Sequence, residues 1–148
     1  MKNQSLFKLS FSGLFAAIIC VMTLIAIPLP ANGYANLGDC FVIISGAVLG
    51  PVYGPLAAGI GSMLSDIFLG YAVYAPATFV IKGVMALFTA ITLGKIASVK
   101  GVRSIIKTVL FSVCAEIIMV LGYFAFEVVL YGVNTALADT LGNGMQGV

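Results

Sequence analysis

Five ionisable side chains lie inside, or at the ends of, the long apolar runs of this sequence. They are one lysine and four acids: Asp39, Asp66, Lys82, Glu116 and Glu127. A charged group at mid-membrane costs about 2.5–3.5 kcal/mol on insertion scales, so each of them needs a partner, a ligand or water. The chemistry open to such a set is ion pairing, binding of a polar ligand, or proton transfer.

The depths of these groups leave two readings of Lys82 open. Asp66 lies about four residues before the end of its apolar segment, and Lys82 lies about six residues into the next segment. Both are therefore roughly 6–9 Å from the connection between the two segments. An Asp66–Lys82 ion pair fits this placement, and so does a contact from Lys82 to an anionic or carbonyl-bearing ligand. Asp39 and Glu127 lie nearer outer ends, where we expect solvation.

Two helical segments carry polar residues in a line. At about 100° per residue, the fifth apolar segment aligns its polar side chains to within about 20°. These are Glu116, Tyr123, Glu127 and Asn134, and the fourth segment has a similar line of Thr78, Lys82 and Thr89. Facing stripes predict a water-accessible cavity that opens outwards, with Tyr71, Tyr74 and Tyr123 as stacking rings. The alternative is that these polar side chains hydrogen-bond one another in a packed bundle, where Glu116 has a purely structural role.

Composition places these residues in a membrane protein. The chain has 148 residues, of which 61% are hydrophobic and 8% charged, against about 25% charged in soluble domains. Histidine is absent, and the isolated Cys20, Cys40 and Cys114 suit small buried hydrophobic roles better than metal or disulfide chemistry. We therefore expect no metal and no cofactor. We also expect no nucleic-acid partner, since the basic residues form no solvated face.

The apolar runs predict an all-α bundle in the lipid bilayer, a single integral membrane domain over residues 1–148. The predicted spans cover residues 9–27, 40–52, 55–70, 76–94 and 104–131, and a sixth begins at 141. Gly50 to Gly54 reads as a turn between the second and third spans. The first run is about 19 residues, too long for a typical signal-peptide core, and we read it as a retained span.

The distribution of basic residues predicts the orientation. With the N-terminus in the cytoplasm, alternate threading of the spans puts every basic residue outside the spans on the inner side. These are Lys2, Lys8, Lys95, Lys100, Arg103 and Lys107. Asp39 and Asp139 are placed on the outer side of the membrane.

Small residues recur at four-residue spacing in the first three spans. Gly46, Gly50 and Gly54 form one such set, and Gly13 with Ala17 form another. Small residues allow helix backbones to approach closely in membranes. Packing within the molecule is the better reading for the second and third spans, whereas a partner protein is nearly as plausible for the first.

Several blocks together resemble a known family. They are Gly33 to Asp39, the turn Gly50-Pro51-x-x-Gly54, and the stretches 59–66, 70–71, 74–83 and 116–124. In this order they are similar to the substrate-binding S components of energy-coupling factor (ECF) transporters, the vitamin importers of prokaryotes. The likeness covers essentially the whole chain.

This resemblance implies a six-helix bundle in the cell membrane with both termini in the cytoplasm. It implies capture of a vitamin at the outer face and docking on a T component and two ATPases, while the S component itself is no enzyme. The docking residues would be Gly13 and Ala17. The vitamin would be held by Asn36, Asp39, Thr78, Lys82, Tyr123, Glu127 and Asn143, with Gln146 one turn later. Pyridoxine, riboflavin and a thiamin precursor all suit aromatic residues beside acids.

One departure from the family concerns the sixth helix. The sequence stops at Val148, within about two turns of the start of that helix, and we expect it to be truncated there. The alternative function is a stand-alone secondary carrier or channel for a small polar solute, in which Glu116 could relay protons. A membrane enzyme is disfavoured because no nucleophile–base set is present.

Overall fold

The computed structural model describes residues 2–28, 34–96, 102–133 and 136–137. Four helices dominate it: α1 (Lys2–Leu24), α2 (Gly38–Phe68), α3 (Ala75–Ile96) and α4 (Val102–Tyr131). All four are long and apolar enough to cross a membrane. Two short strands, β1 (Ala26–Pro28) and β2 (Tyr34–Asn36), pair antiparallel between α1 and α2.

Helix α2 contains a reversal of the chain at Gly50. Its φ of 80° and ψ of −174° are far from helical values, and a positive φ is readily adopted only by glycine. A Cβ added at Gly54 would lie 2.8 Å from the Cα of Gly46, although eight residues of straight helix extend about 12 Å. Residues 38–49 and 51–68 are therefore two antiparallel halves of α2.

This reversal keeps the second and third predicted spans as separate antiparallel segments, residues 38–49 and 51–68 of α2. The predicted turn from Gly50 to Gly54 contracts to Gly50 alone. Pro51 already begins the second half, where its fixed φ suits a first helical turn. The described residues contain α1, the two segments of α2, α3 and α4. They do not confirm a six-helix bundle, because the predicted sixth segment at 141 lies outside them.

The short hairpin was not predicted. No strand was predicted after the first span, whereas Ala26 pairs with Asn36 and Pro28 with Tyr34. Strands of three residues are too short to display the alternation by which strands are recognised in a sequence. Helix α1 also starts at Lys2 rather than at residue 9. The length of an apolar run indicates the part of a helix inside the hydrocarbon core, and the helix itself can extend beyond that part.

Contacts between helices show that successive segments alternate in direction. Gly59 of α2 packs on Phe79 of α3, and Gly122 of α4 packs on Ile81 of α3, both across short connections. The start of α1, the reversal at Gly50, the end of α3 and the start of α4 therefore share one end of the bundle, which we call the basic end. The β1–β2 pair and residues 69–74 lie at the other, the hairpin end.

The core depends on small residues where helices cross. A Cβ at Gly46 would collide with the backbone oxygen of Ala86 and the hydroxyl of Thr89 on α3. Gly61 in the second half of α2 packs in the same way on Ala16 and Ile19 of α1. Many larger apolar side chains are exposed on every helix, although Ile19, Val42 and Met119 are buried. This inversion is expected when the surrounding solvent is lipid and close backbone approach drives packing.

Candidate binding site

Lys82 is the centre of a buried polar cluster near the hairpin end. It lies on α3 and is only 5% exposed. Its ammonium group donates to Oδ1 of Asp39, at the start of α2, and to Sδ of Met119 on α4 at 2.8 Å. The same nitrogen is 5.8 Å from the ring centroid of Tyr123, within the range of a cation–π interaction. Three segments thus converge on one cation.

The partner of Lys82 is Asp39 and not Asp66, which corrects the ion pair considered from the sequence. Asp39 was expected near the surface, yet it is 4% exposed. The first half of α2 has about 12 residues and is about 18 Å long, well short of a hydrocarbon core of about 30 Å. Since one end of this half is at Gly50, at the basic end, its other end lies deep in the bundle, level with Lys82.

A second set of polar contacts joins α3 to α4 and α2. The hydroxyls of Thr78 and Tyr123 are 2.9 Å apart, and Thr78 also hydrogen-bonds the carboxylate of Asp66. A carboxylate only accepts. Thr78 therefore donates to Asp66 and accepts from Tyr123, so that each hydroxyl group donates once.

The remaining acids of the cluster lie on α4. Glu127 is 3% exposed, so the expectation that it is solvated was wrong. Glu116, further from the hairpin end, interacts electrostatically with Asp39 and with Lys82. Tyr123 lies in the field of Asp39, Asp66 and Glu127. Asp39 thus pairs with Lys82, while Asp66 and Glu116 interact with this lysine electrostatically, and Glu127 interacts with Tyr123.

Some predicted site residues are not part of this cluster. Thr89 packs on α2 at Gly46 and donates to the Ala86 oxygen at 2.9 Å, so only the outer part of the α3 stripe faces α4. Tyr71 is 54% exposed, and Tyr74 packs edge-on against Phe126 with ring centroids 5.5 Å apart. The Asn36 backbone belongs to β2, while its side chain and residues Asn134, Asn143 and Gln146 lie outside what the structure describes.

Met119 is the site residue that sequence reasoning missed. It is fully buried and supplies a sulfur acceptor to Lys82. A usable signal was its position, three residues after Glu116 and four before Tyr123, which places it on the same helix face. Because methionine is an apolar residue type, the predicted polar line on α4 did not include Met119.

Helix α1 has a buried face and an exposed face. Ala16 and Ile19 are buried against α2, whereas the small residues Gly13 and Ala17 are exposed. A Cβ added at Gly13 would meet no described atom within 4 Å. Gly13 and Ala17 therefore form an open strip of small side chains that the described part of the molecule does not cover.

Comparison with known proteins agrees with this architecture. Residues 3–148 match the model of a family described as the ECF-type riboflavin transporter, S component. A Pyrococcus woesei protein described as an uncharacterized protein in a gap 3′ region is 35% identical over 133 residues, which cover 89% of this chain and 85% of that protein.

The chain belongs to the ECF-type riboflavin transporter S component family. The resemblance inferred from the sequence blocks is thereby confirmed, and the protein is a multi-pass membrane protein of the ECF-type vitamin importers. The family consists of transporter components and not of enzymes.

Proposed function

We propose that this protein captures a vitamin or related micronutrient in the cluster around Lys82 and passes it into the cell with an ECF T component and two ATPases. The observation that carries this proposal is the buried Asp39–Lys82 pair with further acids around it. Buried polar groups in a membrane are costly and are typically retained for a function.

The position of the cluster supports capture from outside. Lys82 lies seven residues after the start of α3, about 10 Å from the hairpin end. Lys8 of α1, Lys95 at the end of α3 and Lys107 of α4 lie toward the opposite end, which the positive-inside rule assigns to the cytoplasm. In this orientation the N-terminus is cytoplasmic in a prokaryotic cell membrane, and the cluster faces the medium.

The substrate contacts that we propose are the predicted ones that meet in the cluster. Asp39, Thr78, Lys82, Tyr123 and Glu127 are brought together, and Asn36 and Asn143 remain proposed contacts from flanking segments. Tyr123 offers a ring for a flat vitamin to stack on. Riboflavin is a candidate because the family is described by it, and pyridoxine and a thiamin precursor remain candidates on the same chemistry.

The open strip of Gly13 and Ala17 is the proposed docking surface for the T component. Both members are exposed, and a Cβ added at Gly13 would meet no described atom within 4 Å. Small residues on a lipid-facing helix allow another helix to approach closely, which suits a partner that must dock inside the membrane.

Reconstitution into liposomes tests this function. With the chain alone we expect vitamin binding but no accumulation. ATP-dependent uptake should appear only when T and ATPase subunits are added. Transport by the chain alone, driven by a pH gradient and abolished by Glu116→Gln, would instead establish a secondary carrier and overturn the proposal.

A further inference from the structure

Asp39 presents a buried acceptor that no described group uses. Its side chain is 6% exposed, and its Oδ1 accepts a hydrogen bond from Lys82. Its Oδ2 is buried and has no hydrogen-bond partner among the described residues. An ionised carboxylate only accepts, and buried polar atoms are normally paired. The group that completes Asp39 is therefore a hydrogen-bond donor.

Lys82 has an unused donor next to that acceptor. An ammonium group carries three donors, and within the described part of the chain its acceptors are Asp39 Oδ1 and Met119 Sδ. One N–H is therefore left over. Because the two oxygens of a carboxylate are bonded to the same carbon, Asp39 Oδ2 and the Lys82 ammonium group are neighbours. The ion pair thus offers one acceptor and one donor side by side.

The chemistry of this pair selects the group that it can bind. A ligand carboxylate would meet the Lys82 donor but face the Asp39 carboxylate, and a ligand ammonium group would meet Asp39 but face Lys82. A group with an N–H beside a carbonyl oxygen satisfies both side chains at once and brings no charge. A cyclic amide or imide holds these two atoms in one plane on adjacent ring positions, so that both hydrogen bonds form at little cost in conformational freedom.

Tyr123 offers a surface to the ring that carries such an edge. The Lys82 nitrogen is 5.8 Å from the centroid of the Tyr123 ring, so a flat ligand bound at the ion pair lies within reach of that ring. Aromatic rings pack offset or edge-on at centroid separations of about 4.5–7 Å. The Tyr123 hydroxyl is hydrogen-bonded to Thr78 at 2.9 Å, which restrains the orientation of its ring.

We propose, on the basis of the function proposed above, that Asp39 and Lys82 together bind the cyclic amide or imide edge of an uncharged, flat vitamin. Asp39 Oδ2 accepts from the ring N–H, and the remaining N–H of Lys82 donates to the adjacent carbonyl oxygen. Met119 keeps the ammonium group in place through its own hydrogen bond. Riboflavin carries such an imide edge, whereas pyridoxine carries none.

Calorimetric binding to the purified full chain tests this contact. The probes are riboflavin and riboflavin methylated on its imide nitrogen, which lacks the N–H but keeps the ring system and the absence of charge. We expect the methylated form to bind about 10–100-fold more weakly, because a hydrogen bond to a charged acceptor is lost. Equal affinities for the two forms would overturn the inference.

Variants separate the lost hydrogen bond from the bulk of the added methyl group. In the Lys82→Met, Asp39→Asn double variant, the methyl group should cost at least about fivefold less affinity than in the wild type, because the charged acceptor is already gone. Thr92→Val is the matched control, since the Thr92 hydroxyl bonds the Phe88 oxygen at 2.7 Å within α3 and not the cluster. Its methyl penalty should equal that of the wild type. A penalty of wild-type size in the double variant would place the imide elsewhere and overturn the inference.

The outcomes distinguish this inference from the proposed function. If pyridoxine or thiamin binds and riboflavin does not, the inference is overturned while vitamin capture stands. If riboflavin, pyridoxine and thiamin all fail to bind, vitamin capture itself fails and the inference falls with it.

Discussion

Asp39 and Lys82 show how a membrane protein tolerates two charges that neither helix could bury alone. Each is nearly inaccessible, and the ammonium group has a carboxylate, a thioether and an aromatic ring around it. Desolvation of such a pair is expensive, and the attraction roughly offsets that cost when the geometry is good. The pair therefore contributes little net stability, although the loss of one partner is severe.

A double-mutant cycle on the pair tests this. Lys82→Met and Asp39→Asn should each destabilise the protein in detergent by about 3–5 kcal/mol, because each leaves an unpaired buried group. The double variant should recover most of that loss, as judged by thermal unfolding. Additive losses would mean that the two side chains do not interact.

Tyr123 allows a finer test in the same cluster. Tyr123→Phe keeps the ring but removes the hydroxyl that donates to Thr78 at 2.9 Å. We expect a loss of about 1 kcal/mol in stability and weaker substrate binding. Tyr71→Phe serves as the control, because Tyr71 is largely exposed, and it should change neither property. Equal effects of the two substitutions would contradict the site.

At the scale of elements, the reversal within α2 determines the depth of the site. Because the half before Gly50 is short, the first turn of α2 carries Asp39 into the bundle instead of to its surface. The β1–β2 pair precedes this turn in the chain, between α1 and α2. This half-helix is held against α3 by close approach at Gly46, so packing at one glycine determines whether Asp39 reaches Lys82.

Glycine substitutions on two helices test that packing. Gly46→Ala should destabilise the protein by about 1–3 kcal/mol, since the added methyl meets backbone on α3. Gly83→Ala is the matched control, because its Cβ would meet only the Pro55 oxygen at 3.6 Å. That change should be neutral or stabilising by up to about 1 kcal/mol through helix propensity. Similar melting temperatures for both variants would argue against close packing at Gly46.

At the scale of the whole molecule, the functions proposed above belong to different ends and faces. The hairpin end carries the polar cluster around Lys82, whereas Lys8 and Lys107 lie toward the basic end, and α1 carries an open strip of small residues. Substrate capture and partner docking are thus assigned to separate surfaces, and it should be possible to impair one without the other.

A bulky residue on the open strip tests this separation. Gly13→Leu has room for its side chain in the described structure, so folding and vitamin binding should be unchanged. Docking on the T component should weaken by about 2 kcal/mol or more, in the range of interface hot spots, and reconstituted uptake should fall accordingly. Ala125→Leu, at an exposed position on α4, should leave uptake intact. Loss of uptake in both variants would contradict a specific docking face.

The sequence allowed the apolar helices, the turn near Gly50 and the burial of Lys82 to be predicted, because run length, glycine and isolated charge are local signals. It did not allow the partner of Lys82 to be predicted, because Asp39 was assumed to lie at the membrane surface and therefore not at the depth of Lys82. The length of the first half of α2 decides that depth. Met119 escaped notice because its role depends on which side chain it meets, and its residue type alone does not reveal this.

The most direct test of the central claim, that the substrate occupies the Asp39–Lys82 cluster, is calorimetric binding to the Lys82→Met, Asp39→Asn double variant. The ligand is the vitamin that binds the wild type most tightly. We expect the double variant to remain folded and to bind at least about tenfold more weakly, because it lacks a charged acceptor next to the substrate. Binding with wild-type affinity would show that the substrate lies elsewhere and would contradict the account.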